Sequence, residues 1–410
     1  MWEIAVELTI DQRWDLVDRI AKETIEVGVY EPTLRDAIAD VTVRPLTGIP
    51  FAIAVIYGFW IFFREFAGTL FTDGFFVKIF DVHFLPWIQS VFPGEGTWLH
   101  FIFVGDPAAK TCFESFGVLT SGLFLPIGVV LPAIVAFYLV FAFLEDVGYL
   151  PRLAVLVDAV LHKIGLHGYA IVPTILSLGC NVPGVTATRP LETRKQRFMM
   201  MTLLGVFVPC SAQIGMMAEL MPTMIGWVFL TLAIGYFLVG FILNKIWPGE
   251  SPELLMDVPP YQTPTWGNIW RKMWTRTSRF LIVAVPFFLL GCLIVAVMYL
   301  TGAMDWLGNA LAPALTGVFG VPEETVAPLV AGFLRKDLAI GLLGGIELTA
   351  WQMFTSVVIL SIYFPCLATV MLMLKEENWK EFLATMLVLV VTVFAFGGLL
   401  NLIGMGLGIA

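Results

Sequence analysis

Residues 115–144 read SFGVLTSGLFLPIGVVLPAIVAFYLVFAFL, thirty consecutive positions without Asp, Glu, Lys or Arg. At about 1.5 Å rise per residue, roughly twenty helical residues cross a hydrocarbon core about 30 Å thick. The stretch is long enough for a span. Pro126 and Pro132 bend it, or divide it into a re-entrant piece followed by a span. Hydrocarbon offers no partner to a backbone N–H or C=O, so such a run commits the chain to helix.

Similar runs recur on both sides. Pro45–Phe63 has no charged residue, and residues 164–188 have only His167 to titrate. Residues 198–218 and 220–244 read as a helical hairpin, and 280–304, 325–346, 348–374 and 382–410 complete the set. Hydrophobic residues make up 59% of the 410 and charged ones 13%, about half the share usual in soluble domains. Mean hydropathy is +0.88. The fold expected is all-α and polytopic, with about eight to ten membrane segments, several of them broken.

Residues 1–44 differ from the rest. Trp14, Leu16, Val17, Ile20 and Ile25 alternate with Asp15, Asp18, Arg19, Lys22 and Glu23, the pattern of amphipathic helices at a membrane surface. Residues 45–244 form a first membrane half and 280–410 a second. Between them, 245–279 is a hydrophilic connection with five prolines followed by Arg271, Lys272, Arg276 and Arg279. Residues 64–113 mix charges with many aromatics and read as surface helices and loops, with Trp60, Trp87 and Trp98 suited to the interface. The basic loop of Arg189, Arg194, Lys195 and Arg197 and the cluster at 271–279 are separated by a two-helix hairpin. The positive-inside rule makes their shared side cytoplasmic. The expected location is the inner (cytoplasmic) membrane, multi-pass and in direct contact with the lipid bilayer.

A net charge of −9 excludes a nucleic-acid partner, which needs a basic face. No Walker A, HExxH, GxSxG or Rossmann pattern occurs, and no enzymatic activity is expected. The five cysteines contain no CxxC pair and do not read as a disulfide framework.

Several apolar runs contain breaks that a structural helix avoids. Leu178-Gly-Cys-Asn-Val-Pro-Gly184 is one, Pro209-Cys-Ser-Ala-Gln213 a second and Pro365-Cys-Leu-Ala-Thr369 a third. A break persists in a membrane where protein or a cavity satisfies it, and in transporters broken helices turn carbonyls and helix ends toward the solute. Cys210 and Cys366 are 156 residues apart, and Gly179 and Gly332, which open the preceding breaks, are 153 apart. Matching offsets point to an internal repeat around a central site. Cys180, Cys210 and Cys366 offer sulfur there, while Asn181, Ser211, Gln213 and Thr369 offer oxygen. A mixed set of this kind suits a borderline divalent transition metal better than Mg²⁺ or Ca²⁺. Glu145 and Asp146, which end the long apolar run, are candidates to attract a cation or carry a proton. The Arg335, Lys336 and Asp337 cluster sums to a positive charge and suits gating or structure better than cation ligation.

The run Phe143-Leu-Glu-Asp-Val-Gly-Tyr-Leu-Pro-Arg152, then Gly165-Leu-His-Gly168, Gly179-Cys-Asn-Val-Pro183 and Ala187-Thr-Arg189, resembles the membrane domain of the prokaryotic ferrous iron transporter B family. Gly332-Phe-Leu-Arg-Lys-Asp337 and Phe364-Pro-Cys-Leu-Ala-Thr369 resemble its second gate, and the resemblance covers roughly residues 13–404. It implies transport of Fe²⁺ as substrate with no permanently bound cofactor, and a metal path by Cys180, Cys210 and Cys366. Family members carry an N-terminal GTP-binding domain ahead of the membrane part, so the resemblance leaves three expectations here: a separate small GTP-binding protein as partner, a related transporter that does not use nucleotide, or a fragment of a longer product; the chain is also a candidate homo-oligomer. After Pro209-Cys210 the chain has Ser-Ala-Gln where the family pattern is closer to Gly-Ala-Arg. That departure leaves another divalent metal or a nucleoside-like solute as an alternative substrate, and a non-transporting scaffold as an alternative role.

Overall fold

The computed structural model describes residues 10–24, 34–92, 97–105, 111–112, 115, 117–249, 260–303, 306, 312–313, 316–332 and 336–408. Ile25, Glu95, Asp106, Lys110, Arg335 and part of the 245–279 connection lie outside them.

Apart from an isolated bridge residue at Gly105, the regular structure of the described residues is helical. In chain order the helices are α1 (Ile10–Thr24), α2 (Leu34–Val43), α3 (Pro45–Val91), α4 (Trp98–Phe103), α5 (Ser121–Val147), α6 (Tyr149–Ile164) and α7 (Gly168–Gly179). There follow α8 (Asn181–Thr186), α9 (Arg194–Phe207), α10 (Ser211–Leu220), α11 (Ile225–Ile246) and α12 (Trp266–Leu300). The rest are α13 (Val326–Gly332), α14 (Lys336–Leu343), α15 (Ala350–Ile362), α16 (Leu367–Glu376) and α17 (Trp379–Leu407).

Among the described residues, five helical stretches are long and apolar enough to cross a membrane: α3, α5, the α9–α10 pair, α11 and α17. The α6–α7 pair, bent by 103°, makes a sixth if it is one span. α15 is apolar but, at 13 residues, too short to span alone. Exposed apolar side chains stripe the outside of α11 at Trp227, Leu230, Ile234, Phe237, Phe241 and Ile242. In water such a stripe would be a liability, and in lipid it is the solvated face. The chain is therefore an all-α, multi-pass membrane protein.

One expectation changes. Residues 64–91 do not form separate surface helices and loops but continue α3 as unbroken helix. Arg64 pairs with its neighbour Glu65, the remaining charges at Asp73, Lys78 and Asp81 stand singly, and no glycine–proline pair interrupts the run.

The core lies where broken spans cross. Phe198, Met199, Met200, Leu203 and Leu204 of α9 join Val357, Val358, Ile359 and Leu360 of α15 and Leu389 and Val393 of α17 in one buried cluster. Prolines set the breaks. The residue before proline is driven to extended backbone, and Val208, before Pro209, ends α9 at φ −98°, ψ 106°.

The helices fall into two units. α9, the Pro-Cys break, α10 and α11 correspond to α15, the second Pro-Cys break, α16 and α17 at an offset of 154–156 residues. The units run in opposite directions. Arg189, just before α9, pairs with Glu376 at the end of α16, and Arg194, opening α9, pairs with Glu381 at 2.9 Å, just after α16. At the other face Leu220, ending α10, lies against Gly344, just before α15. Packing across the units is reciprocal: α8 rests on α16, and α10 on α14.

Candidate functional site

Three helix starts meet in the core, and a cysteine precedes each. Cys180 is the N-cap of α8, Cys210 of α10 and Cys366 of α16. Cys180 lies close enough to both Cys210 and Cys366 to interact with them electrostatically. Lys336, on α14, lies within the same range of Cys210 and Cys366. Thiols read from three separate stretches of sequence therefore share one neighbourhood.

The breaks follow a single rule. An α-helical carbonyl accepts from the N–H four residues on, and proline has no N–H to give. Pro183, Pro209 and Pro365 thus orphan the carbonyls of Gly179, Gly205 and Ser361. Each finds a side-chain donor: the Ser211 hydroxyl reaches Gly179 O at 2.8 Å, and the Lys336 ammonium reaches Ser361 O at 2.7 Å and Gly205 O at 3.5 Å. Breaks that would be costly in hydrocarbon are satisfied by residues from other breaks, which locks the four segments together.

The polar candidates are placed as follows. Asn181 is buried, and with its amide oriented to suit its neighbours the nitrogen donates to Ser177 O at 3.0 Å and Val208 O at 3.3 Å, tying the first break to the second. Gln213 Oε1 accepts from the Cys210 backbone N–H at 3.2 Å in a capping box, while its Nε2 is buried without a partner. The Gln213 oxygen holds the break in shape and is engaged while the cap persists. Thr369 Oγ1 lies 3.0 Å from Cys366 Sγ. Cys112 and Cys292 do not take part: Cys112 is buried under α3 with its backbone N–H on Asp81 at 2.8 Å, and Cys292 sits on α12 beside Gly122.

Glu145 and Asp146 are engaged elsewhere. Lys272 reaches Glu145 at 3.2 Å and Asp146 at 3.4 Å, and Arg276 reaches Glu145 at 3.0 Å. Thr265 N–H caps Asp146 at 2.9 Å. The acidic pair clamps the C-terminal end of α5 to the basic first turns of α12.

Among the described residues, no three His, Cys, Asp or Glu side chains are gathered tightly enough to hold a metal ion. The thiols converge without forming a closed coordination shell in this conformation. Sequence reasoning placed Lys336 in a gating or structural role but did not place it among the thiols. The signal available was the spacing: Lys336 follows Cys180 by 156 residues, as Cys366 follows Cys210.

Comparison with known proteins agrees with this internal symmetry. A family model described as "Nucleoside recognition", the Gate model, matches twice, at residues 127–224 and 281–380. A second, "Ferrous iron transport protein B C terminus", matches residues 224–276 between them. The chain is similar to the Fe(2+) transporter FeoB of Methanocaldococcus jannaschii, 26% identical over 90% of this chain and 59% of that protein. It is also similar to the Fe(2+) transporter FeoB of Staphylococcus aureus strain COL, 26% identical over 67% of this chain and 48% of the relative. Against the Fe(2+) transporter FeoB of Helicobacter pylori it is 30% identical over 40% of this chain and 27% of the relative. No solved structure matches the chain. The chain spans about half the length of the curated relatives it matches over most of its sequence. Two Gate matches that flank the FeoB C-terminal match, on a multi-pass scaffold of two inverted units, mark the chain as a FeoB-like membrane transport domain.

Proposed function

We propose that this chain moves ferrous iron across the membrane, along a path between the two inverted units that passes Cys180, Cys210 and Cys366. The observation that supports the proposal is the meeting of the breaks that carry the three cysteines: Ser211, next to Cys210, donates to Gly179 O, next to Cys180, at 2.8 Å, and Lys336 bridges Gly205 O and Ser361 O, each ahead of a Pro-Cys break. Sulfur donors beside Asn181, Ser211 and Thr369 suit a borderline divalent ion and disfavour Mg²⁺ and Ca²⁺. Inverted repeats with broken helices are the architecture in which a central site alternates between the two faces.

A nucleoside-like solute is the second reading, favoured by the printed description of the Gate model that matches both units. Uptake into liposomes holding the purified chain under reducing conditions separates the two. Radiolabelled Fe²⁺ should enter, Mn²⁺, Co²⁺ and Zn²⁺ should compete in a graded way, and uridine or adenosine should have no effect. Nucleoside uptake without metal uptake, with or without an added G protein, would overturn the proposal.

A further inference from the structure

We infer that Lys336 is a tethered cation, its ammonium seated at the meeting point of the two inverted units, and that a divalent ion loads by displacing it. The inference rests on the transport reading above and names a residue that governs it.

The geometry begins with the two prolines. Pro209 and Pro365 are equivalent in the two units, and so are the carbonyls they orphan, Gly205 O and Ser361 O, again 156 residues apart. One ammonium faces both, at 3.5 Å and 2.7 Å. A group that contacts equivalent atoms of two units related by a pseudo-two-fold lies near the axis relating them. Gly205 is also deep: counted from Arg194 at the membrane face, about 1.5 Å per residue places it some 16 Å in, near the middle of a core roughly 30 Å thick.

Carbonyls at the C-terminal ends of half-helices, unwound near mid-depth, are what coordinates small cations in transporters of inverted repeats. Here that position is filled by a side chain of the protein itself. Lys336 is 3% exposed and has no ion pair among the described residues. No carboxylate among the described side chains pairs with it, whereas the two orphaned carbonyls account for its placement.

Symmetry sharpens the point. Lys336 occupies in the second unit the position that Cys180 occupies in the first, while Cys210 and Cys366 match as identical residues. The pseudo-equivalent set is thus three thiols and one ammonium. An ion drawn to the thiols meets a fixed positive charge within electrostatic range of Cys210 and Cys366. Repulsion at that range opposes simultaneous occupancy in a medium of low dielectric. The ammonium keeps the orphaned carbonyls satisfied while the site is unloaded. Its departure frees them for the incoming ion and lets the thiols close on it.

The test is equilibrium binding of Mn²⁺, Co²⁺ and Fe²⁺ to the purified full chain under reducing conditions, for wild type, Lys336→Gln and Lys336→Arg. Displacement predicts that Lys336→Gln binds divalent ions about tenfold tighter or more, with slower uptake, and that Lys336→Arg, which keeps the charge, stays near wild type. A purely structural lysine predicts weaker binding or none in Lys336→Gln. Unchanged or weakened affinity in a folded Lys336→Gln protein, with wild type binding normally, overturns the displacement and leaves the iron reading standing. Absence of divalent binding in wild type and variant alike overturns both. Should Lys336→Gln fail to fold, modification of Lys336 by a small amine reagent decides on the wild-type chain: a several-fold rise with saturating Mn²⁺ is expected, and no change overturns the inference.

Discussion

Cys180 and Lys336 hold equivalent places in two inverted units, and both lie within electrostatic range of Cys210 and Cys366. The relationship makes the core of this membrane domain a single site assembled from four breaks. Prolines open each Pro-Cys break and Gly179-Cys180 by removing a donor, and side chains from neighbouring breaks supply it. Local sequence thus dictates where the helices stop, and packing between the units dictates what fills the gap.

The inverted arrangement predicts opposite accessibility for equivalent positions. Glu219 and Lys375 are 156 residues apart, near the ends of α10 and α16. Cysteines introduced as Glu219→Cys and Lys375→Cys should react with a membrane-impermeant maleimide from opposite faces, measured as labelling above the parent protein. Labelling of both from one face would refute the inversion.

Close packing between α7 and α8 makes Gly184 intolerant of a side chain. A Cβ there would stand 1.7 Å from Ser177 Oγ and 3.0 Å from Ser177 Cα. Gly184→Ala should cost about 1–3 kcal/mol through overpacking and lower the melting temperature in detergent. Gly215 on α10 has open space around it, so Gly215→Ala should be neutral or slightly stabilising. Equal melting temperatures for the two variants would contradict the packing.

Glu377, between α16 and α17, should give a measurable pH dependence. It is buried, and the Thr385 hydroxyl lies 3.2 Å and 3.3 Å from its two oxygens. Burial pushes its carboxyl up to about 8 from an ordinary 4.5, with the nearby Glu381 charge adding to the rise against the Thr385 hydrogen bond. Between those two values the folded protein holds a proton that the unfolded chain has lost. The group's contribution is therefore fully favourable below the lower value and declines by up to about 1.4 kcal/mol per pH unit toward the higher one. The melting temperature of wild type should fall across that window relative to Glu377→Gln, which keeps the buried hydrogen bonding without the titration. Parallel pH curves for the two proteins would show that the carboxyl ionises normally.

Removing sulfur should separate the central thiols from the peripheral ones. Cys180→Ser combined with Cys366→Ser should reduce Fe²⁺ uptake at least tenfold, a loss of about 1.4 kcal/mol or more, while Cys292→Ser on α12 should leave it near wild type. Equal uptake by all variants would remove the ligand role from the thiols.

The sequence made the membrane class and the location of the breaks legible, because both are local. Thirty uncharged positions can only be a buried or lipid-facing helix, and Gly-Cys-Asn-Val-Pro can only interrupt one. The repeat was visible in the 156-residue separation of Cys210 and Cys366. Its inverted sense was not, because that depends on Arg189 finding Glu376, 187 residues away. Glu145 and Asp146 looked available for a cation because their partners, Lys272 and Arg276, stand more than a hundred residues on in the chain. Residues 64–91 read as surface loops because charges were weighed by number, whereas Arg64 pairs with Glu65 and the others stand singly, so α3 runs on through them. Lys336 was legible as costly at mid-depth, but two carbonyls orphaned by distant prolines had to be brought together before its place made sense.

The most direct measurement is an anomalous-scattering map at the iron edge, from the purified chain loaded with Fe²⁺ under reducing conditions. The account predicts a peak bounded by Cys180, Cys210 and Cys366, with the Lys336 ammonium withdrawn from Ser361. A peak held by Glu145 and Asp146, or none between the two units at saturating iron, would contradict it.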